Sequence, residues 1–549
     1  MNILDSDEHM IDEEKQLSPE EKASLDRFLA EADRIFTLKR YISQGAFNCA
    51  HQIDGPEVIR IAYLPGYTLT SEKTGETFHI GGYEKTENYN RRIIRGLEIV
   101  HLFNNKEKNF ERVIGPSLLR ELSPYRVFGE RYEKAHFDGQ LCEKVRLSQI
   151  NHRNFIFDFI KDKPNFKVNN RFALQHVEYL NGGQMEYPNI HMAKDYGKEF
   201  IAFSLVWFFT MVSQLFGFRH RDLKSDNILL RMTKDYQWFK FNLNNTHYFH
   251  FKSRVVPVVI DYDFASVNET ESMEDRNSLG NPGYRPFESF TVRIYRLLEQ
   301  KPPLELYQRN IPLNFYEKAS VNELIPFEVH QNGYDWWALG ICLLDMYVPK
   351  ANELFWDEAE EYALFMLQKY QDPNWPKVVR DDFKWYCNRI FYSACIASLF
   401  SQTGFIIRPP YERYPESSAF FFPFNAPHIN MQNHIGFKNM YESVRKALSG
   451  RYPVTILLQR LLNWDPLLRN RIDHVLLFSR RATPAPYENE VYPYEAVLPD
   501  DRIHLRDYPG YENLKSCVSC LISSKQAPLY QCECCNRVFC GESCQRENH

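Results

Sequence analysis

The stretch Phe216–Leu230, FGFRHRDLKSDNILL, constrains the fold more than any other part of the chain. It follows an apolar run that predicts a helix over residues 200–218, and it ends in a strand-like apolar run. Polar groups packed densely between two buried elements cost free energy unless they carry out chemistry. The spacing suits phosphoryl transfer, with Asp222 orienting an attacking hydroxyl, Lys224 reaching the transferred phosphate and Asn227 binding magnesium.

The segment HRDLKSDN resembles the catalytic loop of eukaryotic-type protein kinases at every defining position. The lysine two residues after the aspartate resembles that of the serine/threonine class. The resemblance covers roughly residues 36–478, with large insertions. It implies an α+β, bilobal protein-kinase-like fold with a small β-rich N-lobe and a mainly helical C-lobe.

Composition is that of a soluble globular protein with more than one domain, because the chain has 549 residues, 44% of them hydrophobic and 25% charged. A net charge of −5 argues against broad nucleic-acid binding. The acidic N-terminus does not read as a signal peptide, so we expect an intracellular protein, cytoplasmic or nuclear. Polar residues interrupt the 200–218 run, which favours a buried helix over a membrane span.

A second motif, VVPVVIDYDFAS at 255–266, ends an apolar strand in an acidic turn. It resembles the kinase segment whose aspartate holds magnesium against the ATP phosphates, which assigns that role to Asp261. Asp263 replaces the usual glycine, and Asp261 fits the role better because the strand leads straight into it.

The segment SLGNPGYRPFE at 278–288 resembles the end of a protein-kinase activation segment. Small-molecule kinases of similar fold lack this segment. The resemblance pairs Glu288 with a late arginine, either Arg469 or Arg471. In YDWWALG, a buried Asp335 is expected to accept backbone N–H groups of the catalytic loop.

The N-lobe departs from the kinase pattern at two places. In YISQGAFNCAHQI, only Gly45 survives of the glycine-rich loop that covers phosphates, with Ser43 and Asn48 flanking it. In EVIRI, Arg60 stands where the ATP-binding lysine is expected, and its forked guanidinium places the charge differently. Such kinases look similar to those of large DNA viruses, which implies a viral protein in a host cell.

Two glutamates compete as the partner of Arg60. Glu143, which begins EKVRLSQINHRNF, is preferred, and Glu98 is the alternative. Downstream, FALQHVEYLNGG resembles the kinase hinge, with Glu178 and Leu180 offering backbone groups to adenine.

Further elements follow from local patterns. The sequence predicts a capped helix from Ser18, a hairpin over 236–251 that covers the lobe or binds a partner, and helices over 358–370 and 383–400. The predicted domains are an acidic extension with its helix, the N-lobe with an insertion, the C-lobe with insertions, a linker and a zinc-binding module. Their bounds are 1–35, 36–180, 181–480, 481–515 and 516–549.

Cysteine usage separates the tail from the rest of the chain. Seven of the twelve cysteines lie in the last 33 residues, and the other five are predicted to be free thiols. Those five are Cys49, Cys142, Cys342, Cys387 and Cys395. Paired CxxC units followed by Cx3C predict zinc binding.

The tail pattern resembles the first part of a MYND finger, which would bind a protein partner rather than DNA. One zinc site is assigned to Cys517, Cys520, Cys540 and Cys544. A second zinc site, which stays open, comprises Cys532, Cys535 and His549, with Cys534 as a further candidate.

Taken together, the motifs predict a serine/threonine protein kinase that uses ATP, magnesium and zinc and acts on protein substrates, with no nucleic acid or membrane as partner. A pseudokinase scaffold is the alternative, favoured by Arg60 and the depleted glycine loop. A small-molecule kinase is the third reading, which SLGNPGYRPFE disfavours.

Overall fold

The computed structural model divides the chain into two compact units. Unit 1 comprises Met1–Phe110 with Leu119–Leu180, and unit 2 comprises Glu111–Leu118 with Asn181–His549. The structure describes residues 38–44, 48–80, 83–106, 109–129, 142–161, 165–186, 195–244, 247–267, 280–286, 327–370, 373–400, 435–449, 451, 453–463, 469, 474–475, 477–478, 482–483, 494–497, 530–531 and 538–539.

Helices and strands are both abundant, so the fold is mixed α and β, in line with the predicted α+β class. The strands are β1 Arg40–Gln44, β2 Asn48–Gln52, β3 Glu57–Leu64, β4 Thr68–Ser71, β5 Thr77–His79, β6 Glu121–Gly129, β7 Phe166–Val168, β8 Arg171–Glu178, β9 Ile228–Asn244, β10 His247–Val259, β11 Ala482–Thr483, β12 Tyr494–Val497, β13 Tyr530–Gln531 and β14 Val538–Phe539. The α-helices are α1 Tyr83–Phe103, α2 Phe110–Ile114, α3 Glu143–Ile160, α4 Asp195–Phe216, α5 Phe327–Asp345, α6 Trp356–Tyr370, α7 Lys377–Phe400, α8 Ile435–Leu448 and α9 Val454–Leu461.

Unit 1 is built on a five-stranded antiparallel sheet in the order β1-β2-β3-β8-β6. Side chains of β3 alternate between its two faces. Ile59 and Ile61 pack on one face in a cluster that includes Val145 of α3. Leu64 packs on the other face in a cluster that includes Leu97 of α1. The two helices therefore cover opposite faces of this sheet.

A disulfide joins Cys49 of β2 to Cys142, the residue before α3, across 93 residues of sequence. Both cysteines are buried in the same apolar cluster. The prediction that these two are free thiols is wrong, because the folded chain brings distant β2 and the start of α3 side by side. Cys342, Cys387 and Cys395 are free, as predicted, and the structure shows that they are buried.

In unit 2, the long hairpin of β9 and β10 packs on α4. Its register pairs Asn244 with His247 and Val259 with Ile228, which confirms the predicted hairpin. Phe203 of α4 lies with its ring centroid 4.8 Å from that of Phe241 and 5.0 Å from that of Phe249. Aromatic residues of the hairpin therefore cover the helix, which agrees with the first of its two predicted roles.

Both edges of this hairpin are extended by strands from the segment predicted as a linker. β11 pairs antiparallel with β10, and β12 pairs parallel with β9, which gives the sheet order β11-β10-β9-β12. The segment 481–515 is therefore in part β-structure rather than linker alone. Strands of two and four residues leave no detectable period in the sequence.

The helical part of unit 2 includes α6 and α7, which lie over the two stretches predicted to be helical. These helices pack against each other, with the rings of Tyr362 and Phe391 stacked at 4.5 Å. Among the residues that the structure describes, no helix is both long and apolar enough to cross a membrane. The predicted helix from Ser18 lies outside the described residues.

Candidate active site

A buried carboxylate of α5 holds the loop at 219–227 through hydrogen bonds to its backbone. Asp335 accepts the backbone N–H of His220 at 2.6 Å and that of Arg221 at 2.9 Å. Burial raises the pKa of Asp335, while these N–H groups and the neighbouring His220 and Arg221 charges act in the opposite direction. The predicted role of Asp335 as the anchor of this loop is confirmed.

Asp261 comes close to Asp222 and Asn227, two residues of one loop, although it lies far from both in sequence. Asn227 Nδ2 donates to the Asp222 carbonyl oxygen at 2.8 Å and lies 3.4 Å from Asp222 Oδ2. The backbone N–H of Ile260, next to Asp261, donates to the Asn227 carbonyl oxygen at 2.9 Å. The hairpin between β9 and β10 produces this arrangement because Asn227 precedes β9 and Asp261 follows β10.

The Asp222 carboxylate is mostly buried and bonded at both oxygens. Oδ1 accepts the backbone N–H of Asn281 at 2.8 Å, and Lys224 Nζ lies 3.7 Å from Oδ2. Burial raises the pKa of Asp222, and Asp261 raises it further, against the lowering effects of Lys224, His220 and Asn281. A carboxylate with a raised pKa that keeps a cation beside it is suited to accept a proton.

Two residues of this site have a strained backbone. Arg221 and Asp261 have φ values of +65° and +64°, which residues with a side chain rarely adopt. Such conformations cost free energy and cluster at functional sites. Asp261 is partly exposed, whereas Asp263 is buried, so Asp261 presents the more accessible carboxylate.

The donor set fits a magnesium ion. Among the described residues, the hydrogen bonds of the Asn227 side chain are made by its amide nitrogen, which leaves the amide oxygen for a cation. Asp261 adds a carboxylate that is near enough to Asp222 to raise its pKa. Oxygen donors of these two kinds are the ligands that Mg²⁺ prefers.

A second hydrogen-bonded group contains residues that the sequence did not single out. Asp345, at the end of α5, accepts Ser225 Oγ–H at 2.6 Å, Tyr284 O–H at 3.2 Å and the Ala351 N–H at 2.6 Å. Burial raises the pKa of Asp345 to about 6, although all three donors favour the charged form. Asp345 thus joins the loop to the segment 280–286. A polar residue ending an apolar helix was the only signal of it in the sequence.

In unit 1, Arg60 lies on the sheet face that α1 covers, with two hydrogen-bonding neighbours from adjacent strands. Its Nη1 donates to Gln175 Oε1 at 3.1 Å, and its Nε donates to Asn48 Oδ1 at 3.4 Å. Sequence reasoning identified Arg60 but gave Gln175 no role. The only signal was a polar residue inside the apolar strand β8.

The two candidate glutamate partners lie on opposite sides of the sheet. Glu143 is the exposed first residue of α3, which packs against the Ile59 face. Glu98 is exposed on α1, which packs against the face that carries Arg60. α3 thus lies across the sheet from Arg60 and α1 lies on the same side as Arg60, and the choice between Glu143 and Glu98 stays a prediction.

The predicted hinge residues follow β8. The Glu178 carboxylate accepts the Arg120 N–H at 3.0 Å, and the Glu178 N–H donates to the Arg120 carbonyl oxygen at 3.2 Å. Leu180 is buried. Other predicted residues lie outside the described part of the chain, namely Gly45, Glu288, the seven tail cysteines and His549.

Of the predicted zinc-binding module, the structure describes only two short strands. β13 and β14 pair as an antiparallel two-stranded ribbon, and Cys532 and Cys535 fall between them in sequence. Within the described residues, no group of three or more histidine, cysteine or acidic side chains is arranged to hold a metal.

No protein-family model matches the chain, and no curated protein matches it.

Proposed function

We propose that this chain is a serine/threonine protein kinase, which transfers the γ-phosphate of ATP to a hydroxyl of a protein substrate. The observation that carries the proposal is the convergence of Asp222, Asn227 and Asp261 on a loop fixed by Asp335. A sheet-containing unit 1 and a largely helical unit 2 support the bilobal kinase-like fold.

In this proposal, each residue of the site has a defined task. Asp222 accepts the proton of the substrate hydroxyl, and its raised pKa suits that transfer. Lys224, held 3.7 Å from Asp222, carries a positive charge to the transferred phosphate. Asn227 and Asp261 would hold magnesium, and a bound magnesium ion would neutralise charge that develops on the phosphates. Arg60 takes the place of the ATP-binding lysine.

The segment 280–286 supports a protein substrate over a small molecule, because its sequence resembles the end of a protein-kinase activation segment, which small-molecule kinases lack. It forms a 3-10 turn, Pro282–Tyr284, and it is bonded to Asp222 through the Asn281 N–H. The same proposal gives the tail a zinc-bound module that recruits a protein partner. It also places the reaction inside the cell, where ATP is available.

The test is incorporation of radiolabelled phosphate from [γ-³²P]ATP into casein and myelin basic protein. Asp222→Asn keeps the shape of the side chain and removes the base, so incorporation should fall about 100-fold or more. The matched control is Asp235→Asn, at an exposed position of β9, which should retain activity. Equal background incorporation by wild type and Asp222→Asn would refute the proposal.

A scaffold without turnover is the second candidate, and Arg60 in place of lysine favours it. A scaffold would bind the fluorescent nucleotide TNP-ATP or a protein partner and transfer no phosphate. This candidate is selected if wild type binds the nucleotide and if phosphate incorporation is the same in wild type and Asp222→Asn.

A further inference from the structure

Three polar side chains meet on one face of the unit 1 sheet. Arg60 of β3 is the direct cross-strand partner of Gln175 of β8 and of Ala50 of β2. Asn48, two residues before Ala50 on β2, lies diagonally opposite Arg60 on the same face. Asn48 is 7% exposed and Gln175 is 1% exposed, so both amides are removed from water.

The two amides engage two different N–H groups of the same guanidinium. Nη1 of Arg60 donates to Gln175 Oε1, and Nε donates to Asn48 Oδ1. A guanidinium is a planar fork with donors in fixed directions, whereas an ammonium is a single point at the end of a flexible chain. Two acceptors spaced to meet Nε and Nη1 therefore match arginine and not lysine.

The orientation of the Gln175 amide is set by Arg60. Only the amide oxygen can accept from a guanidinium, so Oε1 must face Arg60. Among the described residues, Gln175 Nε2 is buried without a hydrogen-bond partner. The Gln175 amide therefore makes its hydrogen bond to Arg60 through its acceptor side, and its donor side faces a buried region without a described partner.

We propose that Asn48 and Gln175 are positioning residues that fix the Arg60 guanidinium as the phosphate-binding cation, so that this site requires arginine and does not accept lysine. This inference rests on the proposed function, in which Arg60 takes the place of the ATP-binding lysine. It predicts that Arg60→Lys, the change that restores the usual kinase residue, weakens nucleotide binding instead of improving it.

The experiment measures the Kd of the full-length protein for TNP-ATP with magnesium, together with KM and kcat for ATP. Arg60→Lys should raise the Kd about tenfold, and Gln175→Met, which removes the acceptor at similar volume, about fivefold. In the Arg60→Lys background, Gln175→Met should change the Kd less than about twofold, since its partner is already gone. Both effects should appear in KM more than in kcat.

Leu174→Met is the matched control, because Leu174 lies on the same strand with its side chain on the opposite face. It should leave the Kd unchanged. If Gln175→Met does not fold, Asn48→Ala gives the same cycle with Arg60. Circular dichroism of every variant separates lost folding from lost positioning.

The outcomes distinguish this inference from the proposed function. If wild type is active and Arg60→Lys binds TNP-ATP as tightly as wild type or more tightly, the inference alone is overturned. Wild type that binds TNP-ATP without phosphate transfer overturns the proposed function, and the Kd cycle still decides the inference. Additive effects of the two substitutions overturn the positioning role, and wild type that binds no nucleotide overturns both.

Discussion

At the scale of single residues, Gly280 lies directly against the backbone of the candidate catalytic loop. Its φ is +87°, and a Cβ added there would lie 2.1 Å from the Arg221 carbonyl oxygen. No side chain fits at that distance, so any other residue must displace either the loop or its own segment. The next residue, Asn281, bonds to the Asp222 carboxylate through its backbone N–H, and that bond would be displaced as well.

We expect Gly280→Ala to reduce phosphate incorporation at least tenfold and to lower the melting temperature, because it combines a left-handed backbone with a collision. Gly55→Ala is the matched control. Gly55 has φ +78° but no heavy atom within 4 Å of an added Cβ, so it isolates the backbone strain of about 1–2 kcal/mol. Equal losses of activity in the two variants would show that contact with Arg221 is unimportant.

Residues that the sequence identified differ in kind from those it missed. Asp222, Asn227, Asp261 and Asp335 were predictable because their chemistry restricts residue type at fixed spacings within a motif. The hydrogen-bonding partners of Arg60 were not predictable, because they are neighbours only through strand pairing. The same limit applies to Glu143 and Glu98, because only the fold shows that α3 and α1 cover opposite faces of the sheet.

At the scale of elements, the Cys49–Cys142 disulfide ties α3 to β2, the strand that also carries Asn48. A crosslink that closes a long loop restricts the unfolded chain, and a loop of about 100 residues is worth up to about 4–5 kcal/mol in the chain-entropy model. α3 also packs on β2 and β3. Removal of the disulfide therefore affects β2, the strand next to Arg60.

Reduction of this disulfide should lower the melting temperature of the wild-type protein. Cys49→Ala/Cys142→Ala should start at the lower value and respond no further to reductant. Alkylation of the unfolded, metal-free chain checks the pairing directly, since two fewer thiols should react before reduction than after it. Full alkylation without reductant would contradict the pairing.

Long elements were predictable from sequence, and short ones were not. The β9–β10 hairpin has alternating aromatic residues, and α6 and α7 lie over runs long enough to show a helical pattern. β11 and β12 instead gain their structure from the edges of an existing hairpin, more than 200 residues away in sequence. Pairing across such a separation is a property of the folded molecule, and no local pattern encodes it.

At the scale of the whole molecule, the two units differ in how their residues are supported. Unit 2 fixes Asp222 through Asp335 and the hairpin, whereas unit 1 fixes Arg60 through two buried amides. The motif around Asp222 matches the kinase pattern at every defining position, whereas the motif around Arg60 matches it only in part. The structure therefore adds most where the sequence departs from the kinase pattern, since a substituted residue needs new partners.

The tail should behave as a separate metal-dependent module, because so few residues cannot bury a core and its thiolates match zinc. Full-length protein should contain at least one zinc per chain by mass spectrometry of metals. Cys517→Ser/Cys520→Ser should lose one equivalent, and a further loss with Cys532→Ser/Cys535→Ser would establish the second site. Ser519→Ala, between the first two cysteines, should keep the wild-type content. Zinc-free wild type, or unchanged zinc content in Cys517→Ser/Cys520→Ser, would refute the predicted zinc site at these cysteines.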